Sequence, residues 1–172
     1  MAYLLDANVF IEAKNRHYGL DFCPAFWDWL IDRHEAEIIF SVEKVGQEIK
    51  KGSDELATWA AERGAAFFLP PPAPTMVGAL GMLSNWVTGE NYKQGAIATF
   101  LGAADYYLVA HALAERHTVV THEVAANSER KVKIPNACNG VGIRFITPFE
   151  MLRREGARFQ MGTHARRSPP RP

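Results

Sequence analysis

The stretch that most constrains this chain is its beginning, Tyr3-Leu4-Leu5-Asp6-Ala7-Asn8-Val9-Phe10. A short apolar run ends in a carboxylate, and after Asn8 the apolar residues resume. Tyr3 to Leu5 reads as a buried strand, with Asp6 at its carboxyl end where a helix begins. Open parallel sheets bind ligands at the carboxyl ends of their strands, so an acid delivered there points into a crevice. Asp and Asn are also ordinary helix N-caps, and this stretch alone leaves both readings of Asp6 open.

Strand and helix patterns alternate along the rest of the chain. Strands are expected near residues 3–5, 37–40, 66–69, 118–121 and 143–146. Phe26, Trp27, Leu30 and Ile31 recur at helical spacing, as do Val42, Val45 and Ile49. Ser41 is placed as the cap of that second helix. Ser53-Asp54-Glu55-Leu56 opens another helix, and Pro70 to Pro74 forbids regular structure. Met76, Leu80, Leu83 and Trp86 predict a helix, and Gly89-Glu90-Asn91 a loop. Leu108, Val109, Ala112 and Leu113 mark a further helix face, and Thr147-Pro148 begins the last helix. Five strands separated by helices predict an α/β sandwich over a central, mainly parallel sheet.

At 172 residues the chain fits one domain, expected over 1–155. A mobile tail rich in Pro and Arg is expected over 156–172. With 19 basic and 19 acidic residues, no global field marks nucleic acid as a partner, so any such binding must be local. Cys23 and Cys138 are too few for a disulfide scaffold and lack metal-ligand spacing, and reduced thiols of a cytoplasmic protein are expected. No apolar run has the length of a membrane span.

Four acids fall where such a sheet would bring them to one crevice. Asp6 ends the first strand, and Glu48 lies in the helix after the second, beside its apolar stripe. Asp105 opens the helix before the fourth strand, and Glu123 follows that strand. Clustered carboxylates repel, and persist with raised pKa values or bound cations. Oxygen-rich acidic sites suit Mg²⁺ or Mn²⁺. Taken singly, each acid is also explained as a cap, a solvated charge or a loop residue. Lys50, Lys51 and Arg144 are candidate contacts to a phosphate backbone. His111 and Glu115 have the spacing of a helical i, i+4 pair. Phe22, Phe26, Trp27 and Trp29 read as core or as a face for a second copy of the chain.

Leu4-Leu5-Asp6-Ala7-Asn8-Val9-Phe10-Ile11 resembles the opening motif of the PIN-domain (PilT N-terminus-like) nucleases. Ser41 to Glu48-Ile49 resembles the family's second motif. Ala104-Asp105 with Leu108-Val109-Ala110 is similar to the third, and Val119-Val120-Thr121-His122-Glu123 to the fourth. Lys131 to Cys138 resembles a PIN-like subfamily of uncharacterised bacterial and archaeal proteins. The resemblance implies a PIN-like α/β/α sandwich and a Mg²⁺- or Mn²⁺-dependent ribonuclease, often the toxin of a toxin–antitoxin pair. It implies Asp6, Glu48, Asp105 and Glu123 as metal ligands, with Thr121 supporting the attacking water. RNA and a cognate antitoxin would be the partners, and a PIN-like docking module with little catalysis is the alternative. The family's fourth acid is more often Asp, so Glu123 is a departure.

Overall fold

The computed structural model describes residues 1–160; the arginines and prolines of the expected tail beyond that point lie outside the described residues. Five short strands form one parallel sheet in the order β3-β2-β1-β4-β5: β1 Tyr3–Leu5, β2 Ile39–Val42, β3 Phe68–Leu69, β4 Thr118–Val120 and β5 Phe145–Ile146. The all-parallel sheet expected from the alternating pattern is therefore present, with β1 at its centre. The chain first winds outward through β2 and β3, then crosses back to β4 on the other side of β1. A parallel sheet that reverses in this way is covered by helices on both faces.

Helix α1 (Ala7–Glu12) leaves β1 and runs into a π-helical turn, Ala13–His17; α2 is Pro24–Glu35, α3 Glu43–Ile49 and α4 Glu55–Phe67. Thr75–Gly89 forms α5, Gln94–Gly102 α6 and Ala104–Glu115 α7. Ile134–Val141 is α8 and Pro148–Arg154 is α9. No single helix among the described residues is long and apolar enough to cross a membrane. Leu4 and Leu5 are wholly buried, as are Ile39, Val119 and Val120, which fits strands covered on both faces. On one side of this sheet Phe10, Trp59 and Phe67 form an aromatic cluster, with Phe10 and Trp59 centroids 5.7 Å apart. Packing continues beyond residue 155, where Phe159 meets Tyr18, Phe26 and Trp29 edge-on.

Some local expectations change. Ser41 is not a helix cap: it lies within β2, and its buried Oγ donates to the Leu5 carbonyl at 2.6 Å, tying β2 to β1. Glu115 is not paired with His111; its carboxylate accepts from Thr75 Oγ1, while His111 is buried with its ring near His117. Burial, and then the neighbouring His117, push the His111 pKa down to about 4, so it stays neutral in the core. Phe26 and Trp27 are core, but Phe22 is 68 % exposed. The sequence pattern did not announce α6 or α8. The first is short and carries Gly95 in its first turn, and the second draws a cap from a distant residue.

Gly46 sits on α3 directly against β3. A Cβ there would lie 2.7 Å from Phe68 Cγ, inside van der Waals contact with a buried ring. Gly46→Ala should therefore cost about 1–3 kcal/mol through overpacking, read from urea denaturation, despite the better helix propensity of Ala. A gain in stability would show that α3 can slide away from the sheet.

Candidate functional site

The crevice lies where the strand order reverses, between the carboxyl ends of β1 and β4. Asp6 follows β1 directly, and its N–H donates to the Val120 carbonyl at 3.0 Å, so the sheet register fixes its place. It occupies the N-cap position of α1, but its side chain makes no cap hydrogen bond. Instead, Asp6 Oδ2 accepts from Thr121 Oγ1 at 2.9 Å, and Asp6 is only 2 % exposed. Thr121 is buried as well, and its Oγ1 also accepts from the Glu123 N–H at 3.0 Å. One hydroxyl thus couples the end of β1 to the turn after β4.

Asp105 stands in the first turn of α7, half-buried. Burial pushes the Asp6 carboxyl up to about 7, with the Asp105 charge adding and the Thr121 hydrogen bond opposing. Burial likewise raises Asp105 to about 6, assisted by the charges of Glu123 and then Glu48 and opposed by Lys131 and Lys133. Asp6 thus feels the charges of Asp105 and Glu123, and Asp105 those of Glu123 and Glu48. Neither Asp6 nor Asp105 is in an ion pair among the described residues.

Glu123 is different. Its Oε1 accepts from Lys133 Nζ at 2.7 Å and Lys131 Nζ at 3.3 Å, and its Oε2 accepts from the Ile134 N–H at 2.9 Å. Burial pushes this carboxyl up, but the Lys133 and Ile134 hydrogen bonds and the lysine charges outweigh it and hold the pKa below the ordinary value. The same contact places a negative charge at the N-terminus of α8, where the helix dipole favours it. Lys131 and Lys133 make contacts with Glu123 that sequence reasoning left unassigned. The signal was their alternation around Val132, which is buried while both lysines turn to Glu123. Arg144, in contrast, precedes β5 and lies at the opposite, amino end of the sheet, near Met1 and Arg116. It cannot reach the crevice. Lys50 and Lys51 are exposed just beyond α3 and make no contact with the acids among the described bonds.

No three acidic, histidine or cysteine side chains among the described residues are gathered closely enough to hold a metal ion together. Glu48 is exposed on α3, and the lysines draw Glu123 aside. The donor chemistry nevertheless fits a hard divalent cation. Asp6 and Asp105 are oxygen donors that make no ion pair among the described residues and have raised pKa values, and Mg²⁺ is commonly held by one or two carboxylates with water and substrate phosphate completing the shell.

The direction of the Asp6 effect on stability is defined. Asp6 has a folded pKa of about 7 against 3.8 for the free side chain, so the folded chain binds more protons between those values. This contribution favours folding below about pH 4 and is lost as pH rises through about 7. In buffer free of divalent cations, the melting temperature of the parent should fall relative to Asp6→Asn over that interval, by several degrees. A gap independent of pH would mean that Asp6 is not buried beside Asp105.

No curated protein matches the sequence. Among solved structures, a chain of VapBC2 from Rickettsia felis, bound to a DNA fragment from its promoter, has 17 % identity and a TM-score of 0.54, over 86 % of this chain and 98 % of that one. A chain of FitAcB from Neisseria gonorrhoeae has 18 % identity and a TM-score of 0.53 over the same shares. A chain of FitAB bound to an IR36 DNA fragment has 16 % identity and a TM-score of 0.51, over 94 % of this chain and 99 % of that one. These likenesses establish the PIN-like α/β fold. The family model described as a domain of unknown function, DUF4411, matches residues 3–159, and the chain belongs to that family.

Proposed function

We propose that this chain is a Mg²⁺- or Mn²⁺-dependent endoribonuclease, acting in the cytoplasm as the toxin of a toxin–antitoxin pair. The observation that carries the nuclease reading is the pair of carboxylates with raised pKa values, buried Asp6 and half-buried Asp105, at the switch point of a parallel sheet, with Lys131 and Lys133 beside them. The toxin reading draws on the motif resemblance and on the fold shared with chains of the VapBC2 and FitAB complexes. An antitoxin is accordingly the proposed protein partner.

Asp6 and Asp105 would hold the cation, with Glu48 and Glu123 supplying further negative charge. Once bound, the cation would lower the pKa of water and offset charge on the phosphate. Thr121 keeps the Asp6 carboxylate turned toward the crevice through its 2.9 Å hydrogen bond. Glu123 holds Lys131 and Lys133 near the acids, and these cations offer contacts to a phosphodiester that carboxylates cannot make.

The test is purified protein with a mixed RNA pool and Mg²⁺ or Mn²⁺. Cleavage should appear with the ion and stop with chelator. Asp6→Asn and Asp105→Asn should each slow it roughly a hundredfold or more. Either ion at millimolar concentration should also raise the melting temperature of the parent, because it binds the folded state only. Neither cleavage nor a thermal shift would favour a PIN-like docking module, a reading to which the lysine-bound Glu123 would then belong.

A further inference from the structure

Beside the acids lies a cavity of about 600 Å³, between α6, the start of α7 and the loop carrying Arg130 to Val132. Its size falls within the range of small-ligand sites. Ala96, Phe100 and Val132 give it a buried apolar wall. Lys93, Arg130 and Lys131 stand exposed around it, and Asp105 is shared with the crevice. The walls are joined: the Lys93 N–H donates to the Glu129 carbonyl at 2.9 Å, and Asn91 Nδ2 donates to Glu129 Oε1 at 3.1 Å. Among the described residues, Lys93 and Arg130 take part in no ion pair, so their charge is available to an anion.

A second, more open depression of about 630 Å³ lies on the other side of the acids, with Asn8, Glu12, Arg16, His17, Glu123 and Lys133 in its lining. Lys131 borders both depressions. An occupant spanning both would cross Glu123 and Asp105, with negative charge to meet Lys93, Arg130 and Lys131 and an apolar group to meet the cavity wall. A nucleic-acid strand has that chemistry. A base within a duplex is stacked and paired and cannot enter a side cavity without being unstacked, whereas a single strand can splay its bases out.

We propose that this cavity is a nucleotide subsite that receives one unstacked base of a single-stranded RNA, next to the phosphodiester lying over the acids. Lys93, Arg130 and Lys131 contact the flanking phosphates, and the Ala96, Phe100 and Val132 wall takes the base. This rests on the nuclease reading and assigns the cavity beside the acids to one base of that substrate.

The test uses the Asp6→Asn chain with Mg²⁺, so that RNA is bound but not cut, and follows fluorescence anisotropy of a labelled oligouridylate. The same backbone with abasic riboses should bind about tenfold more weakly, as expected for one lost base contact. Thr99→Trp fills the cavity from its exposed α6 wall. It should bring oligouridylate binding down to the abasic level without changing the melting temperature or abasic binding. Lys93→Gln and Arg130→Gln should each reduce the slope of log affinity against log salt by about 0.7. A paired duplex should bind no better than the abasic strand. If the parent cuts RNA but a folded Thr99→Trp chain binds as before, or duplex binds as tightly as single strand, the subsite is wrong and the nuclease reading stands. If the parent neither cuts nor binds RNA, both fall.

Discussion

Burying the Asp6 carboxylate beside a second acid is unfavourable, and much of the local architecture responds to it. Asp6 cannot move away, because its N–H is part of the hydrogen bonding between β1 and β4. A single hydroxyl, that of Thr121, satisfies one oxygen. The remaining cost appears as a pKa of about 7 for a group whose ordinary value is 3.8. A fold selected for stability alone would replace such an acid with an amide or an apolar side chain. Its presence at the central strand's carboxyl end is what the proposed cation site would explain.

Glu123 shows the opposite solution to the same electrostatic problem. Although its side chain is mostly buried, two lysines and a helix N–H compensate its charge, and its pKa is held low. The crevice is therefore divided. Asp6 and Asp105 form an under-compensated half suited to a cation, while Glu123 organises Lys131 and Lys133 into a basic half suited to phosphate. The added methylene of Glu relative to Asp gives the carboxylate more reach toward those lysines and the start of α8. In this arrangement its structural work is visible in hydrogen bonds, and its part in holding a cation is the proposed one.

Much of the fold was legible because its signals are local. The apolar runs of β1 and β4 and the acids that follow them sit where the pattern placed them, and the parallel sheet brings their ends together. The errors share one physical origin, which is partners distant in sequence. Ser41 has the appearance of a cap until Leu5, 36 positions away, claims its hydroxyl. Helix α8 is short, and the acceptor at its first N–H comes from Glu123, 11 residues earlier. Arg144 was a candidate on charge alone, but its place before a strand rather than after it puts it at the wrong end of the sheet. Lys131 and Lys133 were visible as residues, yet their role depends on where Glu123 points.

In the proposed site, Asp6 and Asp105 hold protons that a divalent cation displaces. Titration calorimetry with Mn²⁺ near neutral pH, repeated in buffers of differing ionisation enthalpy, measures this directly. Because Asp6 carries a pKa of about 7 and Asp105 about 6, binding should release protons, and the observed heat should vary with the buffer. Asp6→Asn should abolish most of that release. Tight binding with no proton release, or release unchanged in Asp6→Asn, would contradict the account.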